Sequence, residues 1–121
     1  MRKLKFYTMF LFFVFFLMAC ASNFRAASYQ TLDIAATGYE EGYPAFLELH
    51  KKGLISDADK EKGYDLAVKY WAAYHSAERA LEAYDSFNSA ENREKVNVAI
   101  NEAIKCLNTL TKYIQPFLKG D

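Results

Sequence analysis

Between Val96 and Phe117 the apolar side chains return in steps of three and four without a miss: Val96, Ile100, Ala103, Leu107, Leu110, Ile114 and Phe117. An α-helix, at about 3.6 residues per turn, gathers that spacing into one stripe, whereas a strand scatters it over both faces. A helix with one apolar stripe must bury it against something. The remaining chain therefore has to supply matching helical faces, and two further segments do. Tyr64, Ala67, Trp71, Tyr74, Leu81 and Tyr84 make a second stripe, widened by Leu66, Tyr70 and Ala77. Tyr29, Leu32, Ala36, Tyr39, Tyr43, Phe46 and His50 make a third.

Punctuation between the stripes sets the helix limits. Ser56 precedes Asp57 and Asp59, a serine N-cap followed by acids in the positively polarised first turn. Gly53 suits the end of the preceding helix. Ser86-Phe87-Asn88-Ser89 reads as a turn, with Ser89 capping the last helix. The middle helix is then expected from about Asp57 to Asp85. Short connections make neighbouring helices antiparallel. The expected fold is all-α, a small antiparallel three-helix bundle over residues 28–121. Pro44 is expected to kink or break the first helix near Gly42-Tyr43-Pro44, since proline removes a hydrogen bond and crowds the preceding turn. A full break would make the bundle four-membered.

The chain opens quite differently. Arg2, Lys3 and Lys5 precede the uncharged run FYTMFLFFVFFLMA, residues 6 to 19. As a helix that run is about 21 Å long at ~1.5 Å per residue, short for a bilayer core of roughly 30 Å. A basic start, a short apolar core and small residues at its end describe a secretory signal peptide. The run closes Leu17-Met18-Ala19-Cys20, which resembles the lipobox of bacterial lipoproteins. The resemblance implies removal of residues 1–19, a diacylglycerol on the Cys20 thiol, and usually acylation of the new amino group. Residues 20–27 would then form a lipidated tether. Two or more acyl chains make attachment lasting, so the chain is expected at the cell membrane or outer membrane, its domain facing the periplasm or cell exterior. No Asp follows Cys20, as in lipoproteins forwarded to an outer membrane.

All fifteen acids lie beyond Ala19, while three of the fifteen bases go with the signal, leaving a net −3. A mildly acidic chain without a basic stripe argues against nucleic acid as a partner. Lys51, Lys52, Lys60 and Lys62 gather around one turn and read mainly as a solvated cluster, with anionic headgroups as the sharper use.

Signals for catalysis are weak. His75, Glu78 and Glu82 share a helix face, but the order is the reverse of the paired Glu-x-x-His of metal bundles and occurs once. Ser76 adjoins His75 and so points elsewhere, which excludes a catalytic dyad. Haem-attachment, phosphate-loop and zinc-protease motifs are missing from the sequence. No enzyme, metal or cofactor is expected. Cys106 flanks the apolar face of the last helix and reads as a small packed hydrophobe.

Tyrosine is the unusual component, with eight of nine beyond residue 19. Its apolar body and polar tip suit a bundle rim or a binding surface. Tyr39, Tyr43, Tyr70, Trp71 and Tyr74 are the candidate patch. The expected function is a membrane-anchored protein-binding adaptor or inhibitor, with the bilayer and an envelope protein as partners. Alternatives are a carrier of a small apolar or aromatic ligand, and a phage-derived envelope protein for lysis or superinfection exclusion. Replacing Cys20 with alanine should abolish maturation before residue 20 and release the protein from membranes; fractionation and intact mass check both.

Overall fold

A computed structural model describes residues 23–120, so the signal segment and Cys20 lie outside the described residues. Three helices fill it: α1 (Phe24–Lys51), α2 (Asp57–Ser86) and α3 (Ala90–Leu118). Three antiparallel helices around one core are what the three stripes require. No helix among the described residues is long and apolar enough to cross a membrane.

The expected stops are built as the sequence implies. Ser56 is extended, and its Oγ accepts the Asp59 amide at 3.1 Å; Ser89 does the same for Asn92 at 3.1 Å. At the end of α1 the Gly53 amide donates to the His50 carbonyl and the Leu54 amide to the Leu49 carbonyl, both at 3.0 Å. This is a Schellman closure, and it needs the positive φ of 75° that Gly53 adopts. His50 Nε2 and Asp57 Oδ1, 2.7 Å apart, clasp the same corner. The histidine hydrogen bond, then its charge, hold the Asp57 carboxyl below its usual range.

α1 starts at Phe24, so residues 24–27 of the expected tether are helical. Of the kink or break expected near Pro44, the break does not occur and the described bundle is three-membered. Tyr43 and Phe46, on either side of the proline, are both buried in the core, and that packing holds the helix where the local rule would end it. Pro44 itself is exposed, on the side where water can serve the carbonyl it deprives. Gly42 is a point of close approach rather than a breaker, since a Cβ there would lie 3.1 Å from Ile114 Cδ1.

The interior has two ends. Leu32, Ala77, Leu81, Tyr84, Val96 and Ile100 form one cluster, beside the start of α1. Tyr43, Phe46, Ile55, Ala67, Leu110 and Ile114 form the other, beside its end. Buried Ala35, Tyr70 and Ala103 are outside both clusters. Polar clamps tie the flanks. At the first end Arg25 Nε and Tyr29 Oη donate to the two oxygens of Asp85, at 2.7 and 2.9 Å. At the second, Tyr113 Oη donates to the Asp59 carbonyl at 2.9 Å.

The inner face of α2 also differs from the expected stripe. Gly63, Ala67, Tyr70, Ala77, Leu81 and Tyr84 are buried, whereas Tyr64 is 57 % exposed and Trp71 half-buried. The cause is Gly63. The Phe46 ring of α1 lies so near it that an added Cβ would stand 2.5 Å from Phe46 Cε1. That contact turns the glycine inward and carries Tyr70, seven residues on, in with it.

Gly63→Ala should therefore lose stability although alanine favours helix by ~1 kcal/mol. Overpacking a filled core typically costs about 1–3 kcal/mol, and Phe46 is itself fully buried. The expected net result is a loss of up to about 2 kcal/mol, read as a lower urea midpoint at unchanged slope.

Candidate functional site

All five residues of the candidate patch come together on the α1–α2 seam. Tyr39 is the hub: its ring stacks on Tyr43 at 5.3 Å and on Tyr70 at 5.1 Å, and meets Trp71 edge-on at 4.9 Å. Trp71 in turn meets Tyr74 edge-on at 5.3 Å. Centroid separations of 4.5–7 Å in stacked and edge-to-face geometry are the favourable ones for aromatic pairs. Tyr43 continues the array to Phe46, and Phe46 to Tyr113 and Phe117.

The five do not share one environment. Tyr70 is wholly buried and Tyr43 nearly so, at 7 % exposure. Both are core, out of reach of any partner that leaves the bundle closed. Tyr39, Trp71 and Tyr74 are half-buried, showing an edge to solvent while the interior rings fix them. Around that edge lie residues that the sequence reading left out or placed inside. His75 stacks on the Trp71 ring at 5.5 Å, and its Nδ1 lies 2.8 Å from Glu78 Oε1. Tyr64, Val68, Trp71 and His75 follow each other by four, three and four residues, so they form one ridge along α2. Tyr64 and Val68 are 57 % and 48 % exposed. The spacing of this ridge was readable in the sequence; which way it faced was not.

Burial dominates the chemistry of the hydroxyls. It pushes Tyr70 up to about 12, with Tyr74, Tyr39 and Glu40 adding smaller upward contributions. Burial likewise raises Tyr43 and Tyr74, helped at Tyr74 by Glu78 and Asp33. These phenols stay protonated at neutral pH. Tyr70 Oη, however, finds no hydrogen-bond partner. A buried, unmatched hydroxyl costs roughly 1–3 kcal/mol.

Other candidates are placed elsewhere. Glu82 is exposed, and among the described residues no three His, Cys, Asp or Glu side chains gather as a metal site requires. Cys106 is half-buried on α3, and burial, then Glu102, raise its thiol pKa, which suppresses the reactive thiolate. Lys51 and Lys52 sit where α1 ends, a full helix length from residue 23; Lys62 Nζ lies 5.1 Å from the centre of the Tyr113 ring. An open groove of about 520 Å³ runs between α2 and α3 past Ala73, Ser76, Val98 and Ala99. Another, of about 380 Å³, follows Asp33, Ile34 and Thr37 on α1. The residues lining these grooves belong to neither the aromatic cluster nor its ridge.

No protein-family model matches the chain, and the searches of curated proteins and of solved structures give no match either.

Tyr70→Phe removes the unmatched hydroxyl while keeping the ring, and should raise stability by up to about 1–3 kcal/mol. A phenol raised in the folded state favours folding fully only below its unfolded value, which is the ordinary tyrosine value of 10.0. The native protein should then lose stability as pH rises from 10 towards about 12, and Tyr70→Phe should lose less. Urea titrations across that range check both statements.

Proposed function

We propose that this chain is a lipid-anchored bacterial envelope protein with no catalytic role, whose helical domain grips another envelope protein as an adaptor or inhibitor. The observation that carries the proposal is the solvent edge of the aromatic cluster. Tyr39, Trp71 and Tyr74 are held from below by the buried Tyr43 and Tyr70 rings, so they present apolar area with little rotamer freedom left to lose. Rigid tyrosine and tryptophan edges flanked by exposed apolar neighbours are the usual energetic centre of a protein interface. Tyr64, Val68 and His75 extend that edge along about three turns of α2, long enough to meet one face of a partner helix or strand. Support for the anchor is the Leu17-Met18-Ala19-Cys20 sequence, which resembles a lipobox.

A second reading, a carrier of a small aromatic ligand, is favoured by one fact. Tyr70 Oη is a buried donor without an acceptor, and a ligand entering the α1–α2 seam would supply one.

The test is a mild-detergent capture of the acylated protein from crosslinked membranes, read by mass spectrometry. Val68→Glu and Tyr64→Ala alter exposed positions, so helical circular dichroism should not change. Hot-spot losses of about 2 kcal/mol correspond to roughly 30-fold weaker binding, and one dominant partner should be depleted in both variants. Equal capture by wild type and variants would remove the ridge from consideration. A carrier would instead show saturable quenching of Trp71 by a hydrophobic dye.

A further inference from the structure

The end of the bundle where α1 begins is also where α2 ends and α3 begins. Its tip is Phe87, a large apolar side chain left 70 % exposed. The turn that presents it is firmly held. Its amide donates to the Ala83 carbonyl at 2.9 Å, and its own carbonyl accepts from the Ser89 amide at 3.0 Å and from Asn92 Nδ2 at 2.9 Å. A backbone fixed on both sides around an uncovered ring is a presented group, not a frayed loop.

Aromatic and arginine side chains collar this tip. Phe24 meets Tyr84 edge-on at 5.1 Å, and the Arg93 guanidinium lies 4.5 Å from the centre of the Phe24 ring. Arg25 is 5.3 Å from the centre of the Tyr29 ring and pairs with Asp85 at 2.7 Å. Of the acids at this end, Asp85 pairs with Arg25 and Glu91 with Lys95 at 3.4 Å, while Glu82 and Glu94 make no ion pair among the described residues, so the arginines must offset two acids at the membrane. Aromatic rings with a polar edge, and arginines with apolar stems, are the side chains that settle at a membrane–water boundary.

Chain length says which surface this tip meets. Three peptide units separate Cys20 from Asn23, and each spans at most ~3.6 Å, so an acyl chain on Cys20 enters the bilayer within about 11 Å of Asn23, the residue that precedes α1 at this same end of the bundle. The opposite end also shows an apolar residue, Leu54, but α1 carries it about 42 Å away at ~1.5 Å per residue.

Resting on the lipoprotein reading above, we infer that this end of the bundle seats on the bilayer that holds its own anchor. Phe87 enters the headgroup–acyl boundary and Arg25 and Arg93 lie at phosphate depth. Tethering makes the contact intramolecular, so a weak intrinsic affinity is enough to populate it. The bundle then stands on its Phe87 end, and the α2 ridge faces sideways above the membrane rather than into it.

The experiment uses the acylated full-length protein in phosphatidylglycerol–phosphatidylethanolamine vesicles with acyl chains brominated near the headgroup. Trp71 is the only tryptophan of the chain and lies sixteen residues before Phe87, so wild type gives the background. Phe87→Trp should add a blue-shifted emission that brominated lipid quenches at least twofold more than it quenches Trp71. An added tryptophan with water-like, unquenched emission, on protein whose mass shows acylated Cys20, would overturn the seating and leave the anchor intact. Blue-shifted but unquenched emission would overturn it in favour of cover by protein. Absence of any acyl chain on Cys20 would overturn anchor and seating together.

Discussion

The contact between the Phe46 ring and the bare Cα of Gly63 sets the rotation of α2, and most of the molecule follows from it. With Gly63 inward, Tyr70 must point inward as well, while Trp71 is carried to the edge and Tyr64 and Val68 to the surface. A bulkier residue at 63 would push the Phe46 ring out of the centre of its cluster, where it also touches Tyr43, Tyr113 and Phe117. One missing methyl group thus decides which aromatic rings fill the core and which remain available.

The two seams made by α2 are of different kinds. Towards α3 it offers Ala77 and Ala80, which pack in the same cluster as Ala99, and the two helices make the most extensive pairing of the bundle. Towards α1 the space is filled by stacked rings. Small side chains let backbones approach, while stacked rings keep them apart and leave edges showing. The ridge on α2 belongs to the ring-filled side.

Much of this was legible in the sequence. The unbroken stripe of α3, the serine caps at 56 and 89 and the glycine stop at 53 each carry their own local physics, and the structure uses all of them. The rotation of α2 was not legible, for a definite reason. Tyrosine or tryptophan stands at 64, 70, 71 and 74, so apolar weight is spread around the helix, and a glycine contributes nothing to that weight even when it marks the centre of the buried face. Pro44 left a kink and a break both open, and the helix continues through it because Tyr43 and Phe46 on either side are buried. Of the five patch residues, proximity was readable from helical spacing. The division into two buried and three edge positions needed the partner helix.

The unequal seams also imply an order of assembly. α2 and α3 are joined by three residues and meet through small side chains, so their contacts are close in sequence and cheap in loop entropy. They form the natural first unit of folding. α1 joins by laying its rings onto a finished hairpin, and in a fluctuation it is the helix that lifts away first. It is also the helix that follows directly on Cys20. With the proposed lipid on Cys20, tension on the N-terminus would act first on α1, and its lifting would uncover the inner faces of Tyr70 and Phe46.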